Sequence, residues 1–207
     1  MDIITFFRGQ SIKWHDQVVG QKRKYTGEPY SVHPHEVAEI YRSYFPNNSI
    51  GIAAAYGHDL LEDTPATQDN LFAEAGILNM TSGQMDLMSS VYWVIMELTD
   101  HFTSKNYPQL NRAERKRLER NRLSSTSNIA RNIKICDLIS NTSSIVEHDP
   151  EFAKVYLEEK AALLDVLTGT HAPLMARVRA QLVAAQAELA QMSLDKGKAL
   201  NPLDKPS

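Results

Sequence analysis

Four ionisable side chains, His58, Asp59, Glu62 and Asp63, follow directly on an apolar run that begins Ile50-Gly51-Ile52 and continues through Ala53, Ala54 and Ala55. On a helix, residues three and four apart share a face. His58 with Glu62, Asp59 with Glu62, and Asp59 with Asp63 can therefore point into one space. A small-residue helix suited to close packing that ends in this way is either badly destabilised or built around a cation. His33, which opens the preceding helix after a cationic loop, and Asp137, set in an otherwise apolar helix, are further candidate ligands. A His-Asp pair alone carries little weight, because the chain holds three: His15-Asp16, His58-Asp59 and His148-Asp149. The last is explained as a helix cap, and only the middle one has further acids a turn away. Taken singly, His33 reads as a satisfied interior histidine and Asp137 as a buried hydrogen-bonded acid. A buried carboxylate without a partner is costly, so their joint occurrence favours a metal ion.

The elements that must position these groups all show helical periodicity, and strands are hard to find. Residues 3 to 19 place Ile4, Phe7, Ile12, Val18 and Val19 on a rough helical face. Residues 21 to 30 hold Lys22, Arg23, Lys24, Gly27 and Pro29, a loop that gathers positive charge. A second helix opens at His33-Pro34, with Val37, Ile40, Tyr41 and Tyr44 as its stripe. Residues 46 to 49 cap the central helix, expected over 50 to 64. Residues 67 to 76 predict a short helix stopped by Gly76, and residues 84 to 99 a strongly buried one around Tyr92 and Trp93. Residues 111 to 123 form a basic helix whose first reading is a solvated face, with substrate binding as the alternative. Residues 127 to 147 form an apolar helix, and Asp149-Pro150 supplies a cap and first-turn proline for the next. An Ala-rich helix covers 174 to 192, with a frayed tail from Asp195. The expectation is an all-α, single-domain bundle of about eight to ten helices.

Composition narrows the function classes. With 22 Lys and Arg against 25 Asp and Glu, the net charge of -3 gives no support to non-specific nucleic-acid binding. No apolar stretch is long enough to span a membrane, and the N-terminal run carries Asp2 where a signal peptide wants basic residues. The single Cys136 excludes an internal disulfide and a zinc ribbon, and suits a reducing cytoplasm. Neither the Walker phosphate loop nor the Gly-x-Gly-x-x-Gly fingerprint occurs.

The spaced set Arg23-Lys24-x-x-Gly27-Glu28-Pro29-Tyr30-x-x-His33-Pro34, then His58-Asp59-x-x-Glu62-Asp63-Thr64, then Lys134-x-x-Asp137-x-x-x-Asn141 resembles the hydrolase domain of RelA/SpoT proteins, a branch of the HD phosphohydrolase superfamily. The resemblance covers about residues 10 to 167. No nucleotide synthetase region follows, so the likeness is to free-standing small alarmone hydrolases of the metazoan SpoT homologue type. It implies an HD-type domain over residues 1–170, with a C-terminal helix and tail over 171–207. It also implies removal of the 3′-pyrophosphate from guanosine tetra- and pentaphosphate, (p)ppGpp, with manganese as cofactor and a small nucleotide as partner.

Carried over by position, the resemblance implies His33, His58, Asp59 and Asp137 as ligands of one metal ion. Glu62 and Asp63 handle water and proton transfers, while Arg23, Lys24 and Asn141 contact substrate. Coordination chemistry agrees: these four ligands would already fill a tetrahedral zinc site, whereas six-coordinate Mn2+ keeps room for water and a phosphate oxygen. Two positions depart from the family pattern. Leu138 stands where Lys or Arg is usual, and Ser140 where His or an aromatic residue is usual. These departures leave open a second reading, an HD-type phosphatase of another nucleotide such as NADPH. A third, a non-catalytic nucleotide-sensing module, is disfavoured by the intact Glu62 and Asp63. The oligomeric state stays open.

Overall fold

Asp2 starts the first helix by accepting the Thr5 N–H at 2.9 Å, and α1 (Ile3–Ser11) buries Ile3, Phe6 and Phe7. The computed structural model describes residues 1–199. The single helix expected over residues 3 to 19 changes its winding half-way: Ile12–Val19 is π-helical and ends at Gly20, which adopts a left-handed conformation (φ 69°). The cationic loop that follows is closed by one isolated antiparallel bridge, Lys22 to Pro29. It leads into α2 (Val32–Tyr44), whose buried stripe is His33, Val37, Ile40 and Tyr41.

Asn48 caps α3 (Ser49–Gly57) by accepting the Gly51 N–H at 2.9 Å. This helix is the hub, buried over Gly51–Gly57 and packed by α1, α2, α6 and α8. Its small residues permit that crowding, and a Cβ added at Gly51 would overlap the Tyr41 ring. The continuous helix expected to Thr64 is interrupted. His58 and Asp59 form a turn before α4 (Leu60–Asp63), so the acids and the histidine are grouped by a break and not by one helical face.

The remaining helices begin at strong caps. Thr67 and Asn70 make a capping box for α5 (Gln68–Ile77), Thr81 and Gln84 for α6 (Ser82–Leu98), and Asn111 and Glu114 for α7 (Arg112–Leu123). Gly76 lies inside α5 and does not stop it; the left-handed residue after that helix is Asn79 (φ 53°). In α6, Met88, Val91 and Ile95 face the core, but Trp93 is 68% exposed, against the expectation of a strongly buried helix around Tyr92 and Trp93. Ser127 caps α8 (Asn128–His148), and Asp149, with Pro150 at the first turn, caps α9 (Pro150–Val166). Helix α10 (Ala172–Ala199) buries Leu174, Val178, Leu182 and Ala185 against α8 and α9. It carries on through the point where fraying was expected, and residues 200–207 lie outside the described ones. The described residues thus form ten α-helices with no strand, the all-α bundle expected.

Candidate metal centre and adjoining cavities

The centre is assembled from three places in the chain. The first turn of α2 supplies His33, the break between α3 and α4 supplies His58 and Asp59, and the middle of α8 supplies Asp137. Ligand atoms of His33, His58 and Asp137, all buried, lie within 4.8 Å of one another. Asp59 adjoins them, with Oδ2 3.0 Å from His58 Nε2 and 3.6 Å from His33 Nε2. Asp137 Oδ1 is 3.2 Å from His33 Nε2.

Partners on the far side of each ring set its orientation. The His58 Nδ1 atom lies 2.8 Å from the Ala55 carbonyl, which can only accept, so Nδ1 carries a proton. His33 Nδ1 lies 2.9 Å from Ser140 Oγ, whose own hydrogen is donated to Glu36 Oε2 at 2.7 Å. The hydroxyl therefore accepts from the ring. Both Nε2 atoms face the carboxylates. His58 Nε2 is buried without a hydrogen-bond partner; the nearby Asp59 oxygen does not meet hydrogen-bond geometry. Burial opposes charge on His58, yet Asp59 and Asp137 outweigh it and push the ring up to about 9. The pocket draws positive charge, and a proton or a divalent ion answers the same demand. Two imidazoles backed by hydrogen-bond acceptors, plus carboxylate oxygens, fit a divalent cation well.

Further groups hold the carboxylates. Burial disfavours the charge on Asp59, but His58 and His33 overcome this and lower its carboxyl, while the Tyr30 hydroxyl donates to its Oδ2 at 2.8 Å. Burial likewise opposes ionisation of Asp137, and Lys134 at 2.9 Å, with His33, holds it ionised. Asn141 Nδ2 donates to Asp137 Oδ1 at 2.5 Å. Glu36 was not singled out from the sequence, and Tyr30 and Lys134 stood in the quoted motif without an assigned role. Lys134 and Glu36, each three residues from a ligand on its helix, carried a spacing signal; the role of Tyr30 lay in tertiary contact.

The two expected catalytic acids lie together on α4, both solvent-accessible. Glu62 Oε2 accepts the Asp100 N–H at 3.2 Å. Desolvation, followed by the Asp100 charge, raises the Glu62 carboxyl to about 7, a value suited to proton transfer near neutrality. Asp63 Oδ2 accepts from Gln21 Nε2 at 3.0 Å.

Two cavities meet at Asn141 and Tyr156. One of about 390 Å³ is lined by Arg23, Lys24, Tyr25, Phe152 and these two residues. The other, about 170 Å³, reaches Asp137, Lys134, Leu138 and the α7 residues Lys116 and Arg120. Part of the basic helix, at Lys116 and Arg120, therefore faces a cavity, while most of its residues are at least partly exposed. Of the expected substrate contacts, Arg23 and Asn141 come together, with Arg23 Nη1 3.4 Å from Asn141 Oδ1. The Lys24 ammonium turns away to Asp149 at 3.0 Å, its side chain 69% exposed. Leu138 is buried, and its carbonyl accepts from Lys160, a buried lysine whose ammonium burial pulls down to about 8.

The chain resembles a solved structure of a metazoan ortholog of SpoT, a protein that hydrolyzes ppGpp and plays a role in starvation responses. The match has a TM-score of 0.70 at 23% sequence identity, and covers 89% of this chain and 96% of that one. The two chains share a fold. No protein-family model and no curated protein sequence matches the chain. Among the described residues, no helix is long and apolar enough to cross a membrane.

Proposed function

We propose that the chain is a metal-dependent phosphohydrolase that removes the 3′-pyrophosphate of (p)ppGpp, giving GDP or GTP and pyrophosphate. The observation that carries this reading is the buried His33, His58 and Asp137 cluster, with an orphaned imidazole nitrogen turned toward two carboxylates. The fold shared with a ppGpp-hydrolysing protein supports the choice of substrate. Residues 1–170 are the proposed hydrolase unit, followed by the C-terminal helix and tail over 171–207. A soluble nucleotide substrate fits a cytoplasmic protein.

His33, His58, Asp59 and Asp137 would hold one Mn2+ ion, which when bound supplies Lewis acidity toward a phosphate oxygen and makes water easier to deprotonate. Glu62 takes the proton of the attacking water, and Asp63 holds that water in line. The new bond forms to the phosphorus attached to the ribose, the bond from that phosphorus to the ribose 3′ oxygen breaks, and the oxygen leaves with a proton. Arg23, Lys24 and Asn141 bind the phosphates and ribose. Reaching them requires the Lys24 ammonium to exchange Asp149 for phosphate, a change a flexible, exposed side chain makes cheaply.

The test is a panel of phosphorylated nucleotides incubated with purified protein and Mn2+, with products separated by chromatography. Guanosine 3′,5′-bispyrophosphate should give GDP and pyrophosphate in one step, with no orthophosphate. Orthophosphate from NADPH without cleavage of the guanosine compound would replace this reading with a dinucleotide phosphatase.

A further inference from the structure

A hydrogen-bond chain runs from the π-helical segment out to the solvent-accessible Asp63. It starts at His15, which is fully buried. Gln21 lies six positions after His15, and on an α-helix that spacing turns two side chains to different faces. Here the π winding and the left-handed Gly20 let one carbonyl, that of His15, accept both the Gly20 and the Gln21 N–H groups, the latter at 2.8 Å. Gln21 is folded back over the turn. Its Oε1 then lies 2.8 Å from His15 Nδ1 and its Nε2 donates to Asp63 Oδ2 at 3.0 Å. π-Helical turns are rare and occur frequently at functional sites.

The polarity of the chain is determined from one end. A carboxylate can only accept, so the Gln21 amino group must face Asp63 and its oxygen must face His15. His15 must then carry its proton on Nδ1, leaving a buried Nε2 that has no hydrogen-bond partner. The ring is steadied by Tyr30, whose centroid is 4.7 Å away and whose hydroxyl holds Asp59. The next residue, Asp16, accepts from the Ser31 backbone at 3.1 Å and its hydroxyl at 2.5 Å, at the entrance to the helix that carries His33.

We propose that Gln21 is a positioning residue for Asp63, its amide locked by His15, so that the π-helical segment aims the second acid and leaves its other oxygen for the reaction. This rests on the reading of Asp63 as a participant in hydrolysis. Gln21→Met keeps the volume and removes the donor. It should lower kcat about ten- to hundredfold while KM and Mn2+ content stay unchanged. In an Asp63→Asn background the same substitution should add no further loss. Equal loss in both backgrounds would mean that Gln21 serves only the fold, and no loss in the wild-type background would also overturn the proposal. If Asp63→Asn itself turned over normally, the reading of Asp63 would fail and take the positioning with it; if it is inactive while Gln21→Met is normal, the positioning alone fails. A readout independent of substrate is the 15N spectrum of His15. The locked chain requires the Nδ1-protonated tautomer in the wild type and its loss in Gln21→Met, and an Nε2-protonated ring in the wild type would overturn the lock.

Discussion

Glu62 is the residue in which environment most directly sets chemistry. Desolvation and the neighbouring Asp100 hold its carboxyl near 7, so as the proposed base it acts when deprotonated, and the rate should rise with pH through that region. A bound cation pulls the carboxyl down, which places the acidic limb of kcat/KM at or somewhat below 7. Asp100→Asn removes the like charge and should move that limb to lower pH; an unmoved limb would assign it to another group. Glu62→Gln keeps the shape without the proton acceptor, and turnover should fall roughly a hundredfold or more with metal still bound. At the metal centre, Asp137→Ala should abolish metal retention. Asp149→Ala should retain it, because Asp149 caps α9 through the Phe152 N–H and pairs with Lys24, away from the cluster. Elemental analysis of the two purified variants makes the comparison, and equal loss would relocate the ion.

Among the elements, α3 tolerates the least change. Its packing on α2 sets the spacing between His33 and His58, and that packing depends on Gly51 lying flat against the buried Tyr41 ring. Gly51→Ala gains up to about 1 kcal/mol of helix propensity. Overpacking of the ring costs typically 1–3 kcal/mol, occasionally more. The net expectation is a loss of stability in urea denaturation. Gly76→Ala is the contrast: it lies inside α5 with open space around its Cβ position, so the same propensity gain should appear as a modest stabilisation. If the two variants moved together, propensity and not packing would govern both.

For the whole molecule, the proposed cation site and the fold are linked, because its candidate ligands come from α2, from the α3–α4 break and from α8, spanning more than a hundred positions in sequence. An unfolded chain cannot present that set. Mn2+ should therefore raise the Tm in a concentration-dependent way, by an amount equivalent to about 2.7 kcal/mol at a hundredfold excess over its Kd. Calorimetry of the wild type and Asp137→Ala, with and without chelator, tests this. The variant should show no Mn2+-dependent shift, and a full shift in the variant would mean that the ion binds elsewhere.

The sequence by itself determined the helical class, the caps within residues 46 to 49 and at Asp149, and the residues gathered at the centre. Those signals are local: a cap needs one side chain and a nearby N–H, and a stripe needs only the helical period. It misjudged the central segment because the 3.6-residue period also accounts for His58, Asp59, Glu62 and Asp63 as one face, and nothing local announces the break after Gly57. Only the tertiary structure decided which way the basic residues turn. Arg23 meets Asn141 across the fold, Lys24 leaves for Asp149, and Lys116 and Arg120 enter a cavity that exists only where α7, α8 and α9 pack. The same holds for His15, Gln21 and Tyr30, which read as a weak His-Asp pair and loop residues along the chain. Their roles come from a change of helical winding and from contacts across the turn, and such long-range hydrogen bonds have no period for a sequence to display.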